Sequence, residues 1–165
     1  MTNMPPGIHP DEAARTAGLD DLDDLVALAQ HAIDEKRTQK GGEVWARRDR
    51  RRDPLEVSLR SAIEAPDQEV AVGLIDDTVV GYGAVRIELL ADGGRLGVID
   101  DLYVDPGGRE IGVGEVVMDH LLAWCRDRGC FGVDSLALPG DRTTKNFFES
   151  FGLVARAIVV HRRLT

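Results

Sequence analysis

The segment between residues 106 and 114 has the composition of a phosphate-binding loop. A strand pattern ends at Val104, Pro106-Gly107-Gly108 supplies a turn, and Arg109-Glu110-Ile111-Gly112-Val113-Gly114 leads into an amphipathic helix. Glycines let the backbone approach a ligand, and the free N–H groups at a helix N-terminus can face it. The positive end of the helix dipole favours an anion there, and a guanidinium adds a charged donor. The expected chemistry is therefore the binding of a phosphate or pyrophosphate group.

The residues around the glycines distinguish three loops of this kind. A P-loop requires Lys-Ser or Lys-Thr at the helix start, whereas Gly114 is followed by Glu115 and Val116. A dinucleotide-binding loop requires a third small residue where this chain has Val117, and it belongs to an early turn of a longer parallel sheet. The remaining pattern, R-x-x-G-x-G, is matched in full by residues 109–114.

The flanks of the loop resemble the GNAT superfamily of N-acetyltransferases. The strand before the loop reads Leu102-Tyr103-Val104-Asp105-Pro106, where the family has Leu-x-Val-x-Pro. Downstream, Phe148-Glu149-Ser150-Phe151-Gly152-Leu153 matches the family's Tyr-Glu-x-x-Gly-Phe element with its tyrosine replaced. Specific sequence motifs of the family are matched over about residues 95–164. Before residue 95, the resemblance is limited to the order of helices and strands. The resemblance implies transfer of an acetyl group from acetyl-CoA, without a metal, to a primary amine of a small molecule, a protein N-terminus or a lysine.

The same resemblance implies where acetyl-CoA binds. Two neighbouring strands, at about residues 95–104 and 131–138, are expected to splay apart, so that free backbone groups bind the pantetheine arm like an added strand. The loop amides would hold the pyrophosphate, with Arg109 beside it. The predicted cofactor-binding residues are Leu102, Tyr103, Val104, Arg109, Glu110, Ile111, Gly112, Val113, Gly114 and Phe148.

The implied reaction is direct attack of a neutral amine on the thioester while both substrates are bound, so a group must accept the amine's proton. Asp100 and Asp101 are the candidates, and Glu88 is a further one. With regular alternation, Asp100 shares an apolar face with Leu102 and Val104, where a carboxylate would have a raised pKa. Asp101 would then point to the other face, and a β-bulge would reverse the assignment.

The departing thiolate raises the question of a proton donor. Many members of the family use the tyrosine that is Phe148 here, and phenylalanine cannot donate a proton. Tyr103 is the preferred replacement, with Ser150 or water as alternatives. A thiol pKa of about 8.5 makes such a donor helpful rather than essential. The missing tyrosine also supports an alternative function, a non-catalytic acyl-CoA-binding regulatory module of the same fold.

Hydrophobic periodicity predicts the elements that position these residues. Helices are predicted from a cap at residue 20 or 21 to about residue 33, and over residues 54–65, 114–128 and 142–150. Strands are predicted over residues 13–17, 69–75, 78–90, 95–104, 131–138 and 154–163. The order fits the α+β layout of the GNAT fold, with a mostly antiparallel mixed sheet of six to seven strands and about four helices.

Length and charge set the remaining expectations. The chain has 165 residues, which suits a single domain over residues 13–165 after a disordered leader at 1–12. We expect a cytoplasmic protein, because no apolar run reaches the ~20 residues of a membrane span and residues 1–10 lack the apolar core of a secretory signal. A homodimer is possible, and the resemblance to the family is the only ground for expecting it.

A net charge of −9 argues against nucleic acid as the main partner and is compatible with a cationic amine. The basic cluster Arg47-Arg48-Asp49-Arg50-Arg51-Arg52 stands out against this acidic background. It could contact nucleic acid or cover the substrate site, and a solvated helical face is the default.

Overall fold

A five-stranded mixed sheet in the order β1-β2-β3-β4-β5 forms the centre of the computed structural model, which describes residues 11–165. The first four strands pair antiparallel, and β4 pairs with β5 in parallel. Their bounds are β1 Glu12–Thr16, β2 Gln68–Ile75, β3 Thr78–Leu89, β4 Arg95–Val104 and β5 Gly132–Ser135. Residues 1–10 of the predicted leader lie outside the described residues, and Glu12 already belongs to β1. The α+β fold class is confirmed.

Within residues 11–165, five α-helices surround the sheet, and the four predicted helices are among them. They are α1 Leu22–Arg37, α2 Gly42–Val44, α3 Leu55–Glu64, α4 Val113–Asp127 and α5 Arg142–Ser150. α2 continues into a turn of π-helix at Trp45–Asp49, and periodicity predicts neither element. In residues 11–165, no helix combines the length and apolar character needed to cross a membrane.

Each face of the sheet carries its own hydrophobic core. α1 and α3 cover one face, which we call the α1 face, where Leu25, Leu59 and Val72 are fully buried. α4 covers the opposite face, the α4 face, where Val117 and Leu121 are fully buried. The alternation of side chains along each strand separates the two cores.

Helix α4 lies close to the sheet because β2 has no side chain at Gly73. A Cβ atom there would lie 2.5 Å from Val113 Cγ1 and 2.8 Å from Val117 Cγ2. Real Cβ atoms do not approach other atoms so closely, so the two valines occupy the space above the glycine. Val113 is the first residue of α4, and Gly73 therefore sets the position of the helix N-terminus.

We expect Gly73→Ala to lower the free energy of unfolding by about 1–3 kcal/mol, because the added methyl group overpacks this contact. Chemical denaturation measures the loss. Gly18→Ala is the matched control, since a Cβ at Gly18 meets no atom within 4 Å. Gly73→Ala combined with Val113→Ala should recover part of the loss, and a loss equal to that of Gly18→Ala would contradict the packing argument.

The predicted strand over residues 154–163 is wrong. Residues 153–165 join no strand ladder, so the sheet has five strands instead of six or seven. A strand needs a partner, and β5 is only four residues long, shorter than the predicted 131–138. Ion pairs from Arg156 to Asp134 and from Arg163 to Glu43 connect the segment to the domain. Its apolar side chains are 79–88% exposed at Val154, Ile158, Val159, Val160 and Leu164.

Candidate functional site

Strands β4 and β5 separate halfway along β4. The ladder pairs residues 96–99 with residues 132–135 and ends there, where Ser135 Oγ donates to Ile99 O at 3.3 Å. Beyond Ile99, β4 continues to Val104 with β3 as its neighbour. Residues 100–104 therefore have an open edge on the side away from β3, at the position where the splay is expected.

Leu102 and Val104 direct their backbone groups toward this open edge. Asp105 N–H donates to Val80 O at 2.8 Å on the β3 side. Because alternate residues of an antiparallel strand bond to opposite neighbours, the N–H and C=O groups of Leu102 and Val104 face away from β3. Val104 O accepts from Arg109 Nε at 2.7 Å. The edge can accept an extended ligand in the way that it would accept another strand.

The loop of residues 109–114 lies at the end of the open edge. Gly112 has a φ of +92°, in the left-handed region that favours glycine, and it caps the N-terminus of α4. Within residues 11–165, the N–H groups of Glu110, Ile111 and Gly112 donate to no protein acceptor. Glu12 Oε1 lies 3.3 Å from the position of a Cβ on Gly112, so a carboxylate already sits near the positive end of the helix dipole. These features fit the binding of a pyrophosphate.

Arg109 joins the loop to the last turn of α1. Its Nη2 donates to Glu35 Oε2 at 2.8 Å, and its guanidinium carbon lies 5.3 Å from the ring centroid of Tyr103. The hydrogen bond to Glu35 raises the pKa of Arg109. The predicted phosphate ligand is thus engaged by a carboxylate and a carbonyl in this structure, and its role toward a pyrophosphate stays a prediction.

A β-bulge lies at Asp100. Asp101 pairs with Ala84 of β3, whereas the next residue of β3 pairs with Ile99, so Asp100 is an extra residue without a partner of its own. Both aspartate side chains lie on the α1 face as a result, since Asp100 contacts Arg86 and Asp101 contacts Tyr82.

The bulge corrects one prediction. Regular alternation places Asp100 on the face of Leu102 and Val104, and this placement is wrong. Leu102 and Val104 pack with the α4-face core. Asp101 does share its face with Tyr103, which packs with the α1-face core.

Asp101 is held in a buried ion pair. Its Oδ2 accepts from Arg51 Nε at 2.6 Å and from Tyr82 Oη at 2.8 Å, and its side chain is 9% exposed. Arg51 Nη1 also donates to Ser58 Oγ at 3.0 Å. Burial lowers the pKa of Arg51, but the charge and hydrogen bond of Asp101 more than offset this, so the pKa is raised. Asp101 therefore fixes Arg51 in place.

Asp100 is the more accessible carboxylate. Its side chain is 38% exposed, and its Oδ2 accepts from Arg86 Nε at 3.1 Å. Burial raises the pKa of Asp100, the charge of Arg86 lowers it, and the charge of Asp101 raises it again, with a net shift upward. A carboxylate with a raised pKa that can be reached from solvent is suited to exchanging a proton.

A narrow cleft with an internal volume of about 20 Å³ lies between α1, the π-helical turn and the bulge. Ala29, Ile33 and Trp45 supply apolar walls, and the polar walls come from Lys36, Arg51, Tyr82, Asp100 and Asp101. Leu102 also lines the cleft, although its backbone belongs to the open edge. The cleft and the open edge therefore meet at Leu102.

The basic cluster of residues 47–52 divides between the surface and the cleft. Arg47, Arg48 and Arg50 pair with acids no more than four residues away, at N···O distances of 2.5–3.9 Å. The default interpretation as a solvated face holds for Arg47 and Arg48, whereas the Arg50 side chain is only 22% exposed and donates to Ala46 O. Arg51 instead forms part of the cleft wall.

Phe148 lies in the α4-face core and is 6% exposed. Its neighbour Phe147 is closer to the loop, because Phe147 Cε2 lies 3.3 Å from the position of a Cβ on Gly114. The two rings are 6.0 Å apart in an edge-to-face arrangement. Phe147, which sequence reasoning missed, therefore packs against Gly114 of the loop.

Sequence reasoning also missed Lys36, Trp45 and Tyr82 as cleft residues. Lys36 and Tyr82 follow the ordinary pattern of a helix and a strand, so nothing in the sequence marks them. Trp45 carries a signal, since it is a large aromatic residue in an otherwise polar, glycine-containing segment.

Comparison with known proteins identifies the family. Residues 26–153 match the model of the acetyltransferase (GNAT) family. No curated protein matches the chain in sequence.

Solved structures share the fold at low identity. The Trypanosoma brucei acetyltransferase is 22% identical with a TM-score of 0.66, and the match covers 93% of this chain and 100% of that one. An aminoglycoside acetyltransferase from an uncultured soil metagenomic sample, solved with sisomicin, is 20% identical with a TM-score of 0.70, covering 93% and 95%. Glucosamine-6-phosphate N-acetyltransferase from Arabidopsis thaliana is 22% identical with a TM-score of 0.65, covering 94% and 99%. With its family model matched over most of its length, the chain belongs to the GNAT family of acetyltransferases.

Proposed function

We propose that this protein is an N-acetyltransferase that moves an acetyl group from acetyl-CoA to a primary amine of a small molecule or protein. The observation that carries the proposal is the junction at Leu102, where the open strand edge and the cleft meet. Acyl transfer needs the two substrates side by side, and at this junction an amine at the cleft would lie beside a thioester bound along the edge. Two structural neighbours are named for amine-bearing acceptors, an aminoglycoside and glucosamine-6-phosphate.

The free backbone groups fit the parts of acetyl-CoA. Leu102 and Val104 would hydrogen-bond the pantetheine arm, with Tyr103 between them in the same strand. The amides of residues 110–114 would hold the pyrophosphate, and Arg109 would keep the loop against α1. Bound there, acetyl-CoA would supply an activated acetyl thioester. Phe147 and Phe148 would support the loop from the side of α5.

Asp100 is the proposed acceptor of the amine's proton. It lines the cleft, its pKa is raised, and solvent reaches it, whereas Asp101 already accepts hydrogen bonds from Arg51 and Tyr82. In the transfer, the amine nitrogen forms a bond to the acetyl carbon and the carbon–sulfur bond breaks. Asp100 takes the proton that the nitrogen loses, and CoA leaves as the thiolate.

Tyr103 is the proposed proton donor to that thiolate. Burial raises the pKa of its phenol, so the hydroxyl is protonated at neutral pH but is a weaker acid than an ordinary tyrosine. Water is sufficient in its absence, because a thiol pKa of about 8.5 allows the thiolate to leave without a proton.

Calorimetric titration with acetyl-CoA tests the cofactor site. We expect saturable binding, and we expect Gly112→Trp to weaken it by ~10-fold or more, which corresponds to about 1.4 kcal/mol. The indole would stand among the loop amides and strain a left-handed φ. Gly93→Trp is the matched control, because Gly93 has a similar φ of +85°, lies in the β3–β4 turn and has open space around it. Absence of binding to the unsubstituted protein would reject the proposed function.

A regulatory acyl-CoA-binding module is the second candidate. It is favoured by Phe148, which is buried and has no proton to give. Both candidates bind acetyl-CoA, but only an enzyme releases free CoA faster in the presence of an amine. Binding without amine-dependent CoA release over a broad set of acceptors would favour the module.

A further inference from the structure

Exposed apolar side chains gather at one edge of the sheet. Ten large hydrophobic side chains are exposed in residues 11–165, and seven of these lie next to β5 in the chain or in segment 153–165. Phe131 and Leu136 come directly before and after β5, and the other five are those of the segment. Single exposed hydrophobic residues are ordinary, but a cluster of this kind marks an interaction surface.

The same edge has backbone groups without partners. β5 is the last strand of the sheet, so its side away from β4 pairs with no strand of the described chain. Segment 153–165 forms neither helix nor turn, and within residues 11–165 its one backbone–backbone hydrogen bond is from Leu153 N–H to Phe148 O. An open strand edge and a segment with free N–H and C=O groups can each accept another strand.

The segment and the edge of β5 are complementary in charge. The segment has three arginines and no acidic residue, in a chain with a net charge of −9. Arg156 Nε donates to Asp134 Oδ1 of β5 at 2.8 Å, and Arg163 Nη1 lies 3.2 Å from Glu43 Oε2. These arginine side chains are 68% and 66% exposed, and ion pairs so exposed hold the segment only weakly to its own domain.

A second copy of this chain can satisfy both surfaces at once. Each copy carries one open edge and one unpaired segment, so a two-fold axis lets both copies use both of them. A different protein that covered the edge of β5 would leave the apolar segment exposed. The carboxylates that receive the arginines within one chain are also present on the second copy.

We propose that the protein forms a homodimer in which residues 154–163 of each copy pair with the open edge of β5 of the other. Asp134 and Glu43 then receive the partner's Arg156 and the partner's Arg163, so the ion pairs are kept. The exchange adds a strand ladder to the free backbone groups and buries the apolar side chains of the segment, which the single chain leaves in water.

Sedimentation equilibrium over a wide range of protein concentration tests for the dimer. We expect the mass of two chains, and we expect Val159→Glu to weaken dimerisation by ~10-fold or more, because an unpaired charge would be buried between the copies. Val159 is exposed in the single chain, so the variant should fold. Val57→Glu, at an exposed valine of α3, is the matched control. The mass of one chain at every concentration, or a dimer that Val159→Glu leaves unchanged, would overturn the proposal.

A charge exchange shows whether the segment pairs within one chain or between two. Asp134→Lys and Arg156→Asp each bring like charges together, whether the contact is made within a chain or between copies. When the two variants are mixed in equal amounts, a dimer with exchanged segments brings opposite charges together at both contacts. We therefore expect the mixture to dimerise ~10-fold or more strongly than either variant alone. Equal dimerisation of the mixture and of the separate variants would show that each segment stays with its own chain, and would overturn the exchange.

Discussion

Arg51→Ala is expected to lower the free energy of unfolding by about 3–5 kcal/mol, the cost of leaving a buried charge without its partner. The substitution removes the cation that lies 2.6 Å from Asp101, whose side chain is 9% exposed. Tyr82 alone would then face the carboxylate. The loss is a large fraction of the ~5–15 kcal/mol that stabilises a typical domain, so the variant should unfold at clearly lower urea concentration.

Two further variants identify the cause of that loss. Arg52→Ala removes an exposed arginine from the same cluster and should change stability by no more than about 0.5 kcal/mol. Arg51→Ala combined with Asp101→Asn should be more stable than Arg51→Ala, because the second substitution removes the unpaired charge. If Arg51→Ala costs no more than Arg52→Ala, the ion pair does not stabilise the fold as described.

Asp100→Asn is expected to lower kcat by ~10²–10⁴-fold, the usual contribution of a proton acceptor. The substitution keeps the shape of the side chain and removes its ability to take a proton. Steady-state release of CoA with the best amine acceptor measures the loss, and calorimetry with acetyl-CoA checks that the cofactor still binds. A rate within a few-fold of the unsubstituted protein would exclude Asp100 as the acceptor.

The pH dependence of the rate provides a second test of Asp100 as the proton acceptor. A base must be deprotonated, so the rate falls as the pH drops through its pKa. The charge of Arg86 lowers this pKa, and its removal should raise it further. Arg86→Gln should therefore move the acidic limb of the pH–rate profile, where the rate falls, to higher pH. Arg95→Gln, at the far end of β4, should leave this limb in place. The same acceptor is used for all variants, so that ionisation of the amine affects every pH profile equally. An acidic limb that does not move in Arg86→Gln would contradict the assignment of Asp100 as the proton acceptor.

Features defined by short stretches of sequence were predicted well. The loop of residues 109–114 and the helix after it depend on neighbouring residues, so their pattern is visible in one segment. The same is true of β2, β3 and β4, whose branched residues and turns set their limits within a residue or two. The family resemblance came from the same local stretches. The open edge at Leu102 was implied by that resemblance instead, because it depends on where β5 stops pairing with β4.

Features that depend on distant segments were not predictable. Arg51 and Asp101 are 50 residues apart, and no local pattern indicates that one enters a cleft beside the other. The bulge at Asp100 depends on the register against β3, so it could be named as an alternative but not assigned. The segment over residues 154–163 contains branched apolar residues as strands do, including Ile158-Val159-Val160, yet pairing is a property of its neighbours and not of its own sequence.

The division of the hydrophobic interior into an α1 face and an α4 face has a consequence for variation. Buried residues on opposite sides of the sheet share few partners, and the free-energy effects of substitutions at well-separated sites are usually additive. Substitutions at Ile33 on one side and Leu121 on the other should therefore combine by simple addition. Substitutions on the α1 face, which includes the cleft, are thus expected to leave the packing of α4 behind the loop unchanged.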